Sequence, residues 1–212
     1  MNNEPSKDVL EQLLTKYSNK DFDSLLFQIS KLKAQFPKSI FLLNLLGATY
    51  NELKNYEEAI KCFNKLLNIN VNFADAYYNL AIIYRKINKI DKSINNYNQC
   101  IKINPKKFEA LNNLGNIYKE RNEIDKAVEK YLECLEINPN YEIALQNFGV
   151  CLQNFNFKSN SIVAEKHIIN LLKRNKILRP VDIIKSLIHY IYLDPKFKLI
   201  LESIKNLENT YP

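Results

Sequence analysis

The chain has 212 residues, 46 % of them hydrophobic and 25 % charged, with a formal net charge of +7. That balance supports a packed core and excludes a disordered chain. With three glycines and no apolar run near the length of about 18 residues that a membrane span needs, it also excludes Gly/Ser linkers, Gly-rich phosphate loops and a membrane protein.

The opening residues, MNNEPSKDVLEQ, are polar and lack the apolar stretch of a secretory signal, so a cytoplasmic, reducing location is expected. DVLEQLLTKY then reads as a helix. A second helix follows with Leu25, Ile29 and Leu32 at packing positions, and Pro37 closes it. Residues 6–39 thus form a degenerate helix pair.

From residue 40 the chain repeats every 34 residues without gaps, in units 40–73, 74–107 and 108–141. Position 7 holds Leu46, Leu80 and Leu114; position 8 holds Gly47, Ala81 and Gly115; position 11 holds Tyr50, Tyr84 and Tyr118. Position 20 holds Ala59, Ser93 and Ala127, position 24 holds Phe63, Tyr97 and Tyr131, and position 32 holds Val71, Pro105 and Pro139. Large residues at i, i+3 and i+4 place a core stripe on each helix. Small residues at positions 8 and 20 mark where the two helices of a unit cross, and the glycines are expected where backbone meets backbone. Asn88 and Asn122 suit a left-handed turn residue between the helices. Glu57, Asp91 and Asp125 fall in the first turn of each second helix, where the helix dipole favours an acid.

Residues 142–175 begin as a further unit, with Leu145, Phe148, Gly149 and Leu152, and then diverge. Over 176–212, RPVDIIKSLIHYIYL and DPKFKLILESIKNL read as two capping or docking helices, whose apolar faces leave room for a homo-oligomer. From Leu152 onward there are ten Lys/Arg against five Asp/Glu, without the interleaved aromatics of a nucleic-acid site. Cys62, Cys100, Cys134 and Cys151 form no C-x-x-C pair and sit in apolar helical patterns, so they read as buried small hydrophobes. No metalloprotease, nucleophile-elbow or phosphate-loop motif occurs, so neither catalysis nor a cofactor is expected.

The column pattern resembles the tetratricopeptide repeat (TPR) family. The resemblance implies an all-α, right-handed α-α superhelical solenoid of helix pairs with C-terminal capping helices, the first helices lining its concave side. It further implies a scaffold binding a peptide or protein partner in that groove. Positions 2, 5, 6, 9, 12 and 13 of the first helix face away from the core columns. Position 6 is Asn79, Asn113 and Asn147 in three successive units, with Leu45 breaking the series, and this resembles the asparagine ladder of the TPR arm of O-GlcNAc transferase. Beside it lie Tyr78 and Asn112 at position 5, Asn116 at position 9, and Arg85 and Lys119 at position 12. An amide offers a donor and an acceptor together and so matches a peptide bond, and the two cations would favour acidic segments. Asparagine is abundant throughout this sequence, so recurrence alone does not mark a site. The lysines of a two-carboxylate clamp are missing: Asn44, Glu109 and Asn113 stand in their places. The overall layout resembles the N-terminal TPR region of bacterial methyltransferases and glycosyltransferases, which implies as an alternative the recognition arm of a larger transferase.

Overall fold

The computed structural model describes residues 4–152, together with His167 and Ile168. The second half of the divergent unit and the two C-terminal helices expected from the sequence lie outside these residues, apart from that dipeptide. The chain divides into two compact units, Met1–Pro105 and Lys106–Pro212.

The first unit contains three helix pairs. α1 (Lys7–Ser18) pairs with α2 (Phe22–Gln35), α3 (Ile40–Glu52) with α4 (Tyr56–Ile69), and α5 (Ala74–Lys86) with α6 (Ile90–Ile103). In the second unit α7 (Phe108–Glu120) pairs with α8 (Ile124–Ile137), and α9 (Glu142–Leu152) packs on both. The described residues are therefore all-α and repeat with the period expected.

The turn inside each pair follows one rule. Lys20, Lys54, Asn88 and Asn122, spaced by one repeat, adopt left-handed backbone with φ of 58°, 59°, 57° and 60°. The next N–H reaches back to the carbonyl five residues earlier: Asn55 to Tyr50, Lys89 to Tyr84 and Glu123 to Tyr118, each at 2.8 Å. This satisfies carbonyls that a helix end leaves open. Asn88 and Asn122 suit that conformation, whereas Lys20 and Lys54 adopt it against their preference.

The second helices end on another asparagine column. Asn70, Asn104 and Asn138 donate their N–H to Leu66, Cys100 and Cys134 at 2.9, 2.8 and 3.0 Å. The side chains of Asn70 and Asn138 then accept from the N–H two residues on, forming the local turn that asparagine favours. One recurrent asparagine of the 34-residue cycle is thus structural.

The small positions act differently from the expectation. A Cβ built on Gly115 would lie 2.7 Å from Tyr131 Cε1, and one on Gly47 would lie 2.8 Å from Phe63 Cζ. These glycines seat the aromatic ring of position 24, rather than letting two backbones touch. In the unit without glycine the two small positions meet through a side chain: Ser93 Oγ donates to the Ala81 carbonyl at 2.7 Å, in the buried interior.

Within the first unit, Leu13, Leu25, Ile29, Leu42, Leu45, Leu46 and Cys62 form one core cluster. Leu43, Ala59, Phe63, Leu66, Ala76, Leu80 and Ile83 form the next. Leu45 breaks the position-6 asparagine series because it is core, packed among residues of α1 and α2. The Glu4 carboxylate caps α3: it accepts from the Ile40 N–H at 2.9 Å and from the buried Ser39 hydroxyl. A carboxylate at a helix N-terminus satisfies open donors and complements the dipole.

Candidate functional site

The amides expected to form a ladder are best defined in the second unit, on the face shared by α7 and α9. Asn112 is buried, and its Oδ1 accepts from Asn147 Nδ2 at 3.1 Å. Lys119 Nζ donates to Asn147 Oδ1 at 3.1 Å, and Asn112 Nδ2 reaches Asn113 Oδ1 at 3.4 Å. Four of the candidate residues are thus brought together in one connected polar row. Asn147 spends one N–H and one lone pair on its neighbours, and its amide keeps one of each.

Asn116 is placed elsewhere. Its Oδ1 accepts the Tyr131 hydroxyl at 2.7 Å, which fixes the ring lying against Gly115. In the first unit Asn79 and Arg85 are half-buried on α5. Tyr78 meets the buried Tyr97 edge-on, with ring centroids 5.9 Å apart, so much of its surface belongs to the core.

The contacts follow a spacing that the aligned columns conceal. Asn112 and Asn147 are 35 residues apart, as are Asn51 and Lys86, whose Nζ donates to Asn51 Oδ1 at 3.1 Å. A first helix therefore meets its successor one position out of register, position 5 against 6 and position 12 against 13. Asn44, Asn51 and Lys86 belong to this face and were not singled out by reading down columns. A search for pairs 35 apart finds them.

The thiols offer no reactive group. All four cysteines are free and buried. Burial pushes the Cys134 thiol up to about 12, reinforced by the Glu109 charge and opposed by the Asn112 backbone. Burial raises Cys62 and Cys151 as well. A thiol held protonated is a poor nucleophile and metal ligand. Among the described residues no group of three His, Cys, Asp or Glu side chains is placed to hold a metal, and no helix is long and apolar enough to cross a membrane.

Residues 39–106 and 108–141 match sequence profiles of the tetratricopeptide repeat. The array from 39 to 141 is a TPR array. No curated protein matches the chain. Among solved structures, MamA is 25 % identical with a TM-score of 0.64, over 76 % of this chain and 93 % of that one. YrrB, described as a TPR protein with an unusual peptide-binding site, is 18 % identical with a TM-score of 0.57, over 96 % and 94 %. The first TPR of Spaghetti (RPAP3), bound to an HSP90 peptide, is 22 % identical with a TM-score of 0.51, over 54 % and 90 %. These similarities establish the TPR fold. None of the three is described as a methyltransferase or glycosyltransferase, and the transferase layout read from the sequence gains no support from them.

Proposed function

We propose that the chain is a protein-interaction scaffold whose first-helix faces hold an extended peptide segment of a partner through side-chain amides. The observation that carries this reading is the polar row of Asn112, Asn113, Lys119 and Asn147 on the α7/α9 face, in which Asn112 is buried and the other three are half-buried. Such a row has unused donors and acceptors, and a peptide backbone supplies both. In the first unit Asn79 holds the same repeat position. Recognition of backbone rather than side chains makes the binding tolerant of sequence. Lys119 gives its hydrogen bond to a neutral amide, so its charge is available to favour acidic segments. YrrB and the RPAP3 domain share the fold, and both are described with peptides or a peptide site, which is in keeping with this reading.

The test is retention of end-capped random-sequence peptides by the full chain and by the double variant Asn79→Ala, Asn113→Ala. Loss of retention with an unchanged thermal transition supports the reading. Equal retention by the variant refutes an amide ladder.

A further inference from the structure

The Met1–Pro105 unit holds a cavity away from the residues read as facing a peptide. It measures about 460 Å³ and is lined by Val71 and Asn72 in the turn between α4 and α5, by Tyr77 of α5, and by Gln99, Lys102 and Ile103 of α6. Tyr77 stands at position 4 of its repeat and the α6 residues at positions 26, 29 and 30, none of which is a peptide-facing position. The volume lies within the roughly 300–1,000 Å³ of small-molecule sites.

The other repeats show what is particular here. At position 4 they carry Leu43, Leu111 and Leu145, all buried. Tyr77 is only half-buried, so its longer side chain reaches out of the core to form a wall. Position 32 is Pro105 and Pro139 in the later repeats, but here it is Val71, 62 % exposed. Positions 26 and 29 are Glu133 and Glu136 in α8, against Gln99 and Lys102 in α6. Two carboxylates are thus exchanged for an amide and a cation.

The lining combines three apolar surfaces, Val71, Ile103 and the Tyr77 ring, with donors from Lys102, Gln99, Asn72 and the Tyr77 hydroxyl, and it includes no carboxylate. Lys102 forms no ion pair among the described residues. A cationic ligand would meet one charge of its own sign and none of the opposite sign. A carboxylate gains charge-assisted hydrogen bonds from the ammonium and the amides, and an attached apolar body covers the exposed valine.

We propose that this cavity binds a small monocarboxylic acid with a compact apolar or aromatic body. Lys102 and Gln99 hold the carboxylate, and the body lies against Val71, Ile103 and the Tyr77 ring. The assignment is independent of the peptide-binding reading, since the two sites share no residue.

Phenylacetate is the probe, with phenylacetamide and 2-phenylethylammonium as its neutral and cationic counterparts and acetate as the anion without a body. Titrated into the full chain, phenylacetate should shift the Val71 methyl and the Asn72 and Gln99 side-chain amide resonances saturably. Phenylacetamide should bind about tenfold more weakly, and the ammonium and acetate should not saturate. Lys102 is exposed, so Lys102→Gln leaves the fold intact. It should weaken phenylacetate binding about tenfold while leaving phenylacetamide unchanged. Tyr77→Leu, which installs the residue of the neighbouring repeats, should weaken acid and amide alike. Gln99→Glu with Lys102→Glu, which reproduces α8, should abolish binding of the acid. Absence of a saturable shift overturns the proposal, as does equal binding of acid, amide and ammonium. Undiminished phenylacetate binding by Lys102→Gln overturns it too, and acetate binding as tightly as phenylacetate would show that the apolar walls contribute nothing.

Discussion

The ring of Tyr131 occupies the space where Gly115 lacks a side chain, and its hydroxyl is tied to Asn116 at 2.7 Å. The ring is held at both ends and cannot move aside. Gly115→Ala would gain about 1 kcal/mol of helix propensity but would place a methyl 2.7 Å from Tyr131 Cε1. Overpacking of that kind costs about 1–3 kcal/mol, which offsets the gain, so a net loss of up to about 2 kcal/mol is expected in denaturant unfolding. Gly47 faces Phe63, which has no hydroxyl to anchor it, so Gly47→Ala should cost less. Tyr131→Leu should abolish most of the Gly115→Ala penalty in a double-mutant cycle. Equal penalties at the two glycines would mean that the Asn116 bond does not fix the ring.

The left-handed turn residues give a prediction of opposite sign. Lys54 holds φ of 59° in the place where Asn88 and Asn122 stand in later repeats. Lys54→Asn should stabilise the chain by about 0.5–1 kcal/mol, since asparagine tolerates this conformation and lysine does not. Asn88→Val should destabilise by about 1–2 kcal/mol, because a β-branched residue is strained there. Thermal unfolding of the two variants checks both signs.

These two cases also show what the sequence made legible. The 34-residue period, the helix pairs and the residues Asn88 and Asn122 could be read directly, because local propensity and tertiary need agree there. Lys20 and Lys54 could not be read as left-handed from their own chemistry, since the flanking helices impose the conformation. Glu4 as the cap of α3 was equally hidden, because it acts across 36 residues of chain on the Ile40 N–H. Of the site, the Asn79, Asn113 and Asn147 column was visible as recurrence. The contact of Asn147 joins position 6 to position 5 of the preceding first helix, at Asn112, and a gapless alignment of columns never sets those two side by side. Asn116 lay on the expected helix face, but its role is set by Tyr131 on the partner helix, which no local pattern encodes.

Alkaline pH should expose the buried thiols. Cys134 stays protonated in the folded protein up to about 12, against 9.0 for an ordinary thiol, chiefly because burial disfavours the thiolate. Below pH 9 both folded and unfolded thiols are protonated and the full stability is present. Between about 9 and 12 the unfolded thiol ionises while the folded one does not, so stability falls as pH rises. Cys134→Ala should be less stable at neutral pH, through its cavity, yet show a shallower decline across this interval. The check is denaturant unfolding at pH 7.5 and at several points above about 9. Identical slopes for the two proteins would show that the thiol does not carry the effect. Native-state alkylation at neutral pH should correspondingly leave Cys134 unmodified until the chain unfolds.

The ladder residues should separate by stability. Asn147→Ala strips a donor from the buried Asn112 carbonyl and an acceptor from Lys119. An unpaired buried carbonyl costs about 1–3 kcal/mol, so the thermal transition should fall. Asn113 is half-buried, and the Asn112 amide reaches it at 3.4 Å, longer than the 3.1 Å bonds of Asn147, so Asn113→Ala should destabilise less than Asn147→Ala. Asn147→Ala would thus weaken peptide retention for two reasons, one of them unrelated to contact with the peptide. Asn112→Leu with Asn147→Ala distinguishes them: with the buried carbonyl gone, most of the stability should return. Retention recovering together with stability would assign Asn147 the role of holding Asn112 in place. Retention that stays low in the restored double variant would assign it a direct contact with the peptide.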